Sequence, residues 1–180
     1  MTVPAFGLTV TPRPGDRVGV LRISGRFDYR TERSVASTVQ NDLRGELQDL
    51  GFDAFDARAT YDELLRNGPG RADYYVEVVS GYASGRPMGA VGAAVGDLAL
   101  EVGVVISRVA AQVRLYDGRT LNEVETYDLQ KDSTAVVPTG VGIGGRSIWA
   151  AIMLPFVQYG QYRTAAHSVA HQAALRIAGR

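Results

Sequence analysis

Hydrophobic and polar positions along this chain follow two periods, and the first half separates into elements on that basis. The short run 17–23 (RVGVLRI) is dense in Val, Leu and Ile, which predicts a buried strand, with Gly25 as the breaker after it. Between Thr31 and Leu50 the apolar residues Val35, Val39, Leu43, Leu47 and Leu50 recur three and four apart. Glu32, Gln40, Asn41 and Glu46 fall off that stripe, so the segment predicts an amphipathic helix, and Gly51 is placed to stop it. Phe52 to Phe55 predicts a brief second strand. Thr60-Tyr61-Asp62-Glu63 has the spacing of a capping box and opens a short helix that Asn67-Gly68-Pro69-Gly70 ends. Asp73 to Val79 is β-branched and aromatic, which predicts a third strand.

The second half is less regular. Residues 81–99 are rich in Gly and small side chains and predict a loop. From Val105 the alternation returns: Val105, Val109, Val113 and Leu115 lie on one face, Arg108, Gln112 and Arg114 on the other, as in a half-buried strand. Asp117-Gly118 predicts a two-residue hairpin turn, with a return strand over 119–130. Residues 131–147 predict a second loop. The last helical region is interrupted by Pro155 and Gly160 and is firm over 163–178, where Ala166, Val169, Ala170, Ala173 and Ile177 give it an apolar face. The order β-α-β-α-β, then an antiparallel hairpin, then a C-terminal helix predicts a single α/β domain over 17–180 with a mixed β-sheet flanked by helices. Residues 1–16, with Pro4, Pro12 and Pro14, predict an extended linker or tether.

Composition narrows the functional classes. A chain of 180 residues with 46% hydrophobic residues buries a full core without a metal or disulfide staple. Its formal net charge is zero, so no basic field draws in nucleic acid. Among 19 basic residues Lys131 is the one lysine, and the arginines are scattered rather than clustered, which reads as coding bias and not as an anion site. With no Cys there is no disulfide, thiolate metal site or Cys nucleophile. The longest apolar stretch, Ile148 to Val157, is about half the ~20 residues of a membrane-spanning helix. The opening Met1-Thr2-Val3-Pro4 reads as the tether of an exported protein whose signal and lipid-bearing Cys have been trimmed away.

The chemically suggestive residues are few. His167 and His171 stand four apart on one helical face, a metal-binding spacing, but His-Ser-Val-Ala-His supplies no third ligand and reads as two polar residues beside an apolar stripe. Gly140 to Ser147 (GVGIGGRS) lacks both the Gly-Lys-Ser/Thr ending of a P-loop and the third glycine of a dinucleotide fingerprint. Asp53 with Asp56, and Asp62 with Glu63, are acidic pairs, the second explained by the first turn of a helix. No Ser sits in a Gly-x-Ser-x-Gly elbow. No catalytic residue, cofactor or metal is therefore expected. The late aromatics Trp149, Phe156, Tyr159 and Tyr162, with Arg163, are the expected partner-binding residues. Binding of a small ligand or nucleotide at Gly140–Ser147 is the alternative.

Several of these segments together carry a family resemblance. Val18-Gly19-Val20-Leu21, the helix ending Leu47-Gln48-Asp49-Leu50-Gly51-Phe52, the capped Tyr61-Asp62-Glu63-Leu64-Leu65, Arg71 to Val78 (RADYYVEV) and Val113 to Thr120 (VRLYDGRT) follow one another in order. Over roughly 17–130 the chain resembles the bacterial envelope group that contains the curli-secretion lipoprotein CsgG, the amino-terminal domain of TolB and the lipoprotein LpoB. The resemblance implies a periplasmic domain, lipid-tethered to the outer membrane, that acts by protein–protein contact or self-association in envelope assembly or secretion, without catalytic residues. The group's pore-forming member inserts two β-hairpins into the membrane. The equivalent segments here, about 82–100 and 131–147, show no aromatic belt in Met88 to Gly96, and a ring-forming secretion component stands as a further alternative.

Overall fold

The computed structural model describes the backbone of residues 11–24, 30–95, 98–142 and 148–180, and the side chains among these outside 87–101, 137–142 and 148–158. The elements run β1 (Arg17–Val20), α1 (Arg30–Asp49), β2 (Asp53–Asp56), α2 (Tyr61–Asn67), β3 (Tyr74–Val95), β4 (Leu98–Asp117), β5 (Glu123–Gly142) and α3 (Ile148–Ile177). The five strands form one sheet in the order β2-β1-β3-β4-β5. β1 is parallel to both β2 and β3, and the β3-β4 and β4-β5 pairs are antiparallel. This is the mixed α/β architecture that the hydrophobic pattern predicts, with helices packed on the sheet and a helix at the C-terminal end.

The first half matches its pattern closely. The α1 stripe Val35, Val39, Leu43 and Leu47 is fully or nearly fully buried, and Gly51 adopts φ 88°, the left-handed stop that glycine allows. Thr60 caps α2: its hydroxyl accepts from the Glu63 N–H while the Glu63 carboxylate accepts from the Thr60 N–H. Residues 11–16 lie against this half, with Pro12 buried and the Gly15 N–H donating to the Gly51 carbonyl at 2.8 Å.

The second half departs from its pattern in four places. The predicted loop over 81–99 is instead strand over 81–95 and 98–99: β3 continues to Val95 and pairs with β4 from Gly81↔Ala111 to Val95↔Leu98. Gly and Ala are poor strand formers by propensity, but a continuous ladder to β4 overrides that preference. Small residues are also required here, since a Cβ at Gly81 would lie 2.8 Å from the Glu32 carbonyl oxygen and 2.9 Å from the Ala36 nitrogen on α1. The predicted loop over 131–147 is likewise strand as far as Gly142, paired to β4. Ile143 to Ser147, most of the candidate phosphate loop, lies outside the described residues.

The Asp117-Gly118 turn is longer than two residues. Asp117 Oδ1 accepts from the Arg119 and Thr120 N–H groups and the Thr120 hydroxyl, so the chain reverses over 118–122 with Leu121 at φ 57°. Finally, α3 runs unbroken from Ile148 through Pro155 and Gly160. A proline inside a helix costs about 3 kcal/mol, and here the helix lies along β4 and β5, whose packing carries that cost.

Two cores result. The larger lies between the sheet and the α1/α3 layer and includes Val76, Val78, Val109, Val113, Leu43, Leu47, Val169 and Ile177. The smaller lies on the other face under α2, where Leu21, Leu64, Ala72, Tyr75, Tyr116 and Leu121 cluster and Tyr61 stacks on Tyr116 with ring centroids 4.2 Å apart. Burial, followed by the neighbouring Glu77 carboxylate, pushes the Tyr116 phenol above the ordinary tyrosine range; burial does the same for Tyr127 beside Glu125. A phenol raised in the folded state contributes stability that is intact below the unfolded value near ~10 and lost as pH rises through the folded one. In a spectrophotometric titration the Tyr116→Phe and Tyr127→Phe variants should therefore leave the first alkaline step unchanged and remove amplitude only from the later step that accompanies unfolding. Loss of amplitude from the first step would refute the assignment.

Candidate functional site

β3, β4 and β5 extend beyond the short β1, which pairs with β3 only over Tyr74–Val76. They form a three-stranded ribbon. Among the described residues, no strand pairs with the outer edge of β5 or with the outer edge of β3 beyond Val76. One face of the ribbon is covered: Val105, Val109, Ala111, Val113 and Leu115 on β4, with Tyr127 and Leu129 on β5, are buried toward the helices. On that face Ser107 is fully buried and donates to Gln161 Oε1 of α3 at 2.7 Å.

The opposite face is open, and its character changes along its length. Near the turn it carries cross-strand polar pairs: Arg114 with Glu123, Gln112 with Asp128, and Arg108 with Asp132 in a two-pronged contact at 2.8 and 3.0 Å. The Arg108 guanidinium holds the Asp132 carboxyl below the ordinary carboxylate range. Beyond that pair the register places Ile106 beside Thr134 and Val104 beside Val136, and Val136 is 67% exposed. Tyr82, Ser84, Arg86, Ile106, Arg108 and Asp132 line a shallow hollow of about 280 Å³ at the transition, with Tyr82 51% exposed.

A second surface is the seam between α1 and α3. Of the five residues expected to bind a partner, Tyr159, Tyr162 and Arg163 line one open groove of about 400 Å³. The α1 wall is polar, made by Thr31, Ser34, Thr38, Asn41 and Asp42. Tyr159 is 67% exposed and Arg163 is exposed, whereas Tyr162 is half-buried and packs on the main core. Burial raises the Tyr162 phenol. The side chains of Trp149 and Phe156 lie outside those described.

Further along the same seam the helices bring together four ionisable side chains. His167 Nδ1 is 3.5 Å from Asp42 Oδ2, His167 Nε2 is 3.4 Å from Glu46 Oε1, and His171 Nδ1 is 2.6 Å from Glu46 Oε2. The carboxylates that the local sequence around the histidines lacks thus come from α1, a packing relation that no local motif encodes. Among the described residues no three His, Asp or Glu side chains stand around one common point. The remaining acidic pairs serve the fold. Asp53 pairs with Arg17, Asp56 accepts from the Arg58 N–H, and Glu63 joins its cap and Arg22. The Thr60 N–H first, then the Arg22 side chain, holds the Glu63 carboxyl low. No described helix is long and apolar enough to cross a membrane.

No protein-family model matches the chain, and no curated protein matches it in sequence. Solved structures do match. A minor lipoprotein from Acinetobacter baumannii superposes with a TM-score of 0.50 at 13% identity, covering 93% of this chain and 94% of that one. An uncharacterized lipoprotein B from Nitrosomonas europaea gives 0.41 at 13% identity, covering 98% and 92%. A PelC dodecamer from Paraburkholderia phytofirmans gives 0.42 at 13% identity, covering 94% and 91%. At such identities the likeness to the Acinetobacter protein is one of fold: this fold occurs in a bacterial lipoprotein. It does not single out CsgG, TolB or LpoB.

Proposed function

We propose that this chain is a non-catalytic domain of a lipid-anchored bacterial envelope protein, set on the periplasmic face of the outer membrane and acting through contact with a protein partner in envelope assembly or secretion. The observation that carries this reading is the open ribbon face, where paired polar residues give way to Ile106, Val104 and the exposed Val136. A contiguous apolar surface rimmed by polar residues marks an interaction site more often than a solvent face. The polar-walled groove with Tyr159 and Arg163 adds aromatic and guanidinium groups of the kind enriched in binding hot spots. A fold shared with a bacterial lipoprotein supports the anchored part.

The test has two arms. Fatty-acid labelling and fractionation of the native organism should place labelled full-length protein in the outer membrane; unlabelled protein in the cytosol overturns the envelope reading. A photo-reactive residue at Val136 should give one discrete cross-linked product, absent when the same residue replaces the exposed Arg58. Val136→Glu should change stability by no more than about 0.5 kcal/mol, as surface substitutions do, yet weaken the interaction so identified. A second reading, with another copy of this chain as the partner, is favoured by the two unpaired ribbon edges, since β3 and β5 run in the same direction. Light scattering decides it, through a discrete multiple of 19.3 kDa.

A further inference from the structure

The groove between α1 and α3 is built unlike the rest of the α1 surface. Elsewhere that helix presents long charged side chains to solvent, Arg30, Arg33 and Arg44 among them. Toward the groove it presents short polar ones: Thr31, Ser34, Thr38 and Asn41 recur three and four apart and so share one face. Thr38 Oγ1 donates to the Ser34 carbonyl at 2.9 Å. No described residue hydrogen-bonds the side chains of Ser34, Asn41, Tyr159 or Arg163, so a hydroxyl, an amide, a phenol and a guanidinium line one hollow of about 400 Å³ without engaging one another. Tyr159 and Arg163 stand one turn apart on the α3 wall, and the floor, Val35 and Ala166, is only 4% and 1% exposed.

This lining selects a class of ligand. Its formal charges are one carboxylate, Asp42, and one guanidinium, Arg163, and they cancel. A phosphate site gathers cationic side chains or free helix N–H groups, whereas the first turn of α1 carries the acidic Glu32. A protein side chain anchors in an apolar pocket, and a floor so nearly closed offers none. A sugar makes the opposite demands. Its hydroxyls donate and accept, as Ser, Thr and Asn side chains do, and the C–H face of its ring packs on an aromatic ring. We propose that the groove binds a neutral oligosaccharide, with Tyr159 against the face of one pyranose ring and Ser34, Asn41, Asp42 and Arg163 on its hydroxyls. The volume falls toward the lower end of the ~300–1,000 Å³ of small-ligand sites, and an open groove admits a chain where a closed cavity would admit a single sugar. The short α1 side chains favour the contact further, because a ligand that fixes them removes less rotamer freedom than it would from Lys or Arg. The groove lies on the helix side of the sheet and the open ribbon face on the other, so a glycan and a protein partner would occupy different sides of the domain.

The test uses the whole chain, isotope-labelled for NMR, and two neutral probes, the N-acetylglucosamine tetramer and cellotetraose. At least one should give saturable shifts confined to the groove-lining residues of α1 and to 159–166 of α3. A response to the N-acetylated probe alone adds its acetamido group to what is recognised; a response to both leaves the ring face and hydroxyls as the determinant. Tyr159→Ala should weaken binding by about 5–10-fold and Asn41→Ala by roughly 3–10-fold. Neither should move the melting temperature, since both side chains are exposed. Absence of saturable shifts with both probes, or binding undiminished in both variants, overturns the proposal. So does displacement of the probe by inorganic phosphate, which would make the groove an anion site, and so does capture of a discrete protein by a photo-reactive residue at Asn41, which would return the groove to protein contact. None of these results bears on the ribbon face, whose own test is the cross-link at Val136.

Discussion

Replacing Gly118 with alanine should cost about 3 kcal/mol of stability, at the upper end of the usual range for overpacking a closed site. The added Cβ would run into the Ala72 carbonyl oxygen and lie 2.6 Å from the Asp73 carbonyl carbon and oxygen. These are backbone atoms, and they are held in place. The Asp73 N–H donates to the Arg17 carbonyl at 2.8 Å, and the Asp73 side chain accepts from the Arg17 N–H at 2.9 Å. Gly118 itself donates to the Asp73 carbonyl at 2.8 Å, so the β4-β5 turn is seated directly on the start of β3. Its φ is not left-handed, so the penalty is one of space and not of conformation. Gly51, at φ 88°, offers the contrast: its substitution strains the backbone and should cost nearer 1 kcal/mol. Urea denaturation of both variants measures the difference, and a loss below about 1 kcal/mol for Gly118→Ala would refute the seating of the turn.

Glu77→Ala should cost a similar amount, about 3 kcal/mol, for a different reason. Glu77 is 3% exposed in the middle of the sheet, and its two oxygens accept from the Ser24 hydroxyl at 2.6 Å and the Tyr116 hydroxyl at 3.0 Å. Truncation leaves the buried Tyr116 hydroxyl facing a void, while the exposed Ser24 turns to solvent, and a buried polar group without a partner is expensive. Tyr116→Phe removes one donor and retains the ring stack on Tyr61, so its cost should be about 1.5–3 kcal/mol. The two effects share one hydrogen bond, and the double variant should fall short of their sum. Strict additivity in the denaturation free energies would show that the Glu77–Tyr116 contact contributes nothing.

These residues mark where the sequence is readable and where it is not. α1 is legible because one stripe of branched side chains meets one core, and α2 because Thr60 and Glu63 complete a local hydrogen-bonded cap. The ribbon is not, because Gly81, Gly85 and the small residues after Met88 have neither strand propensity nor a polar–apolar alternation. Their conformation comes from pairing with β4, and the ladder shifts register between Val78 and Ser80 and again between Pro87 and Gly89, which breaks any period of two. Asp117-Gly118 marks a reversal but not its length, which the Asp117 side chain sets. Glu77 sits in the β-branched and aromatic run that predicts the third strand, and its burial comes from packing on the α2 side that the run does not encode. Of the candidate site, the late aromatic cluster points toward the α3 wall of the groove. The α1 wall and the carboxylates opposite the histidines come from residues as far as 125 positions away, beyond the reach of any local motif.

The continuous ladder has a mechanical consequence. β4 alone is 20 residues long, roughly 65 Å at ~3.3 Å per residue, and it pairs on both sides over most of that length. Its root lies with the turn that Asp73 holds, at the same end as the start of β1. The ribbon is held against α1 and α3 from its root as far as Val105, so a load on its far end is carried along the paired strands into the globular base. Whatever engages the far end is linked geometrically, at a distance, to whatever holds the base.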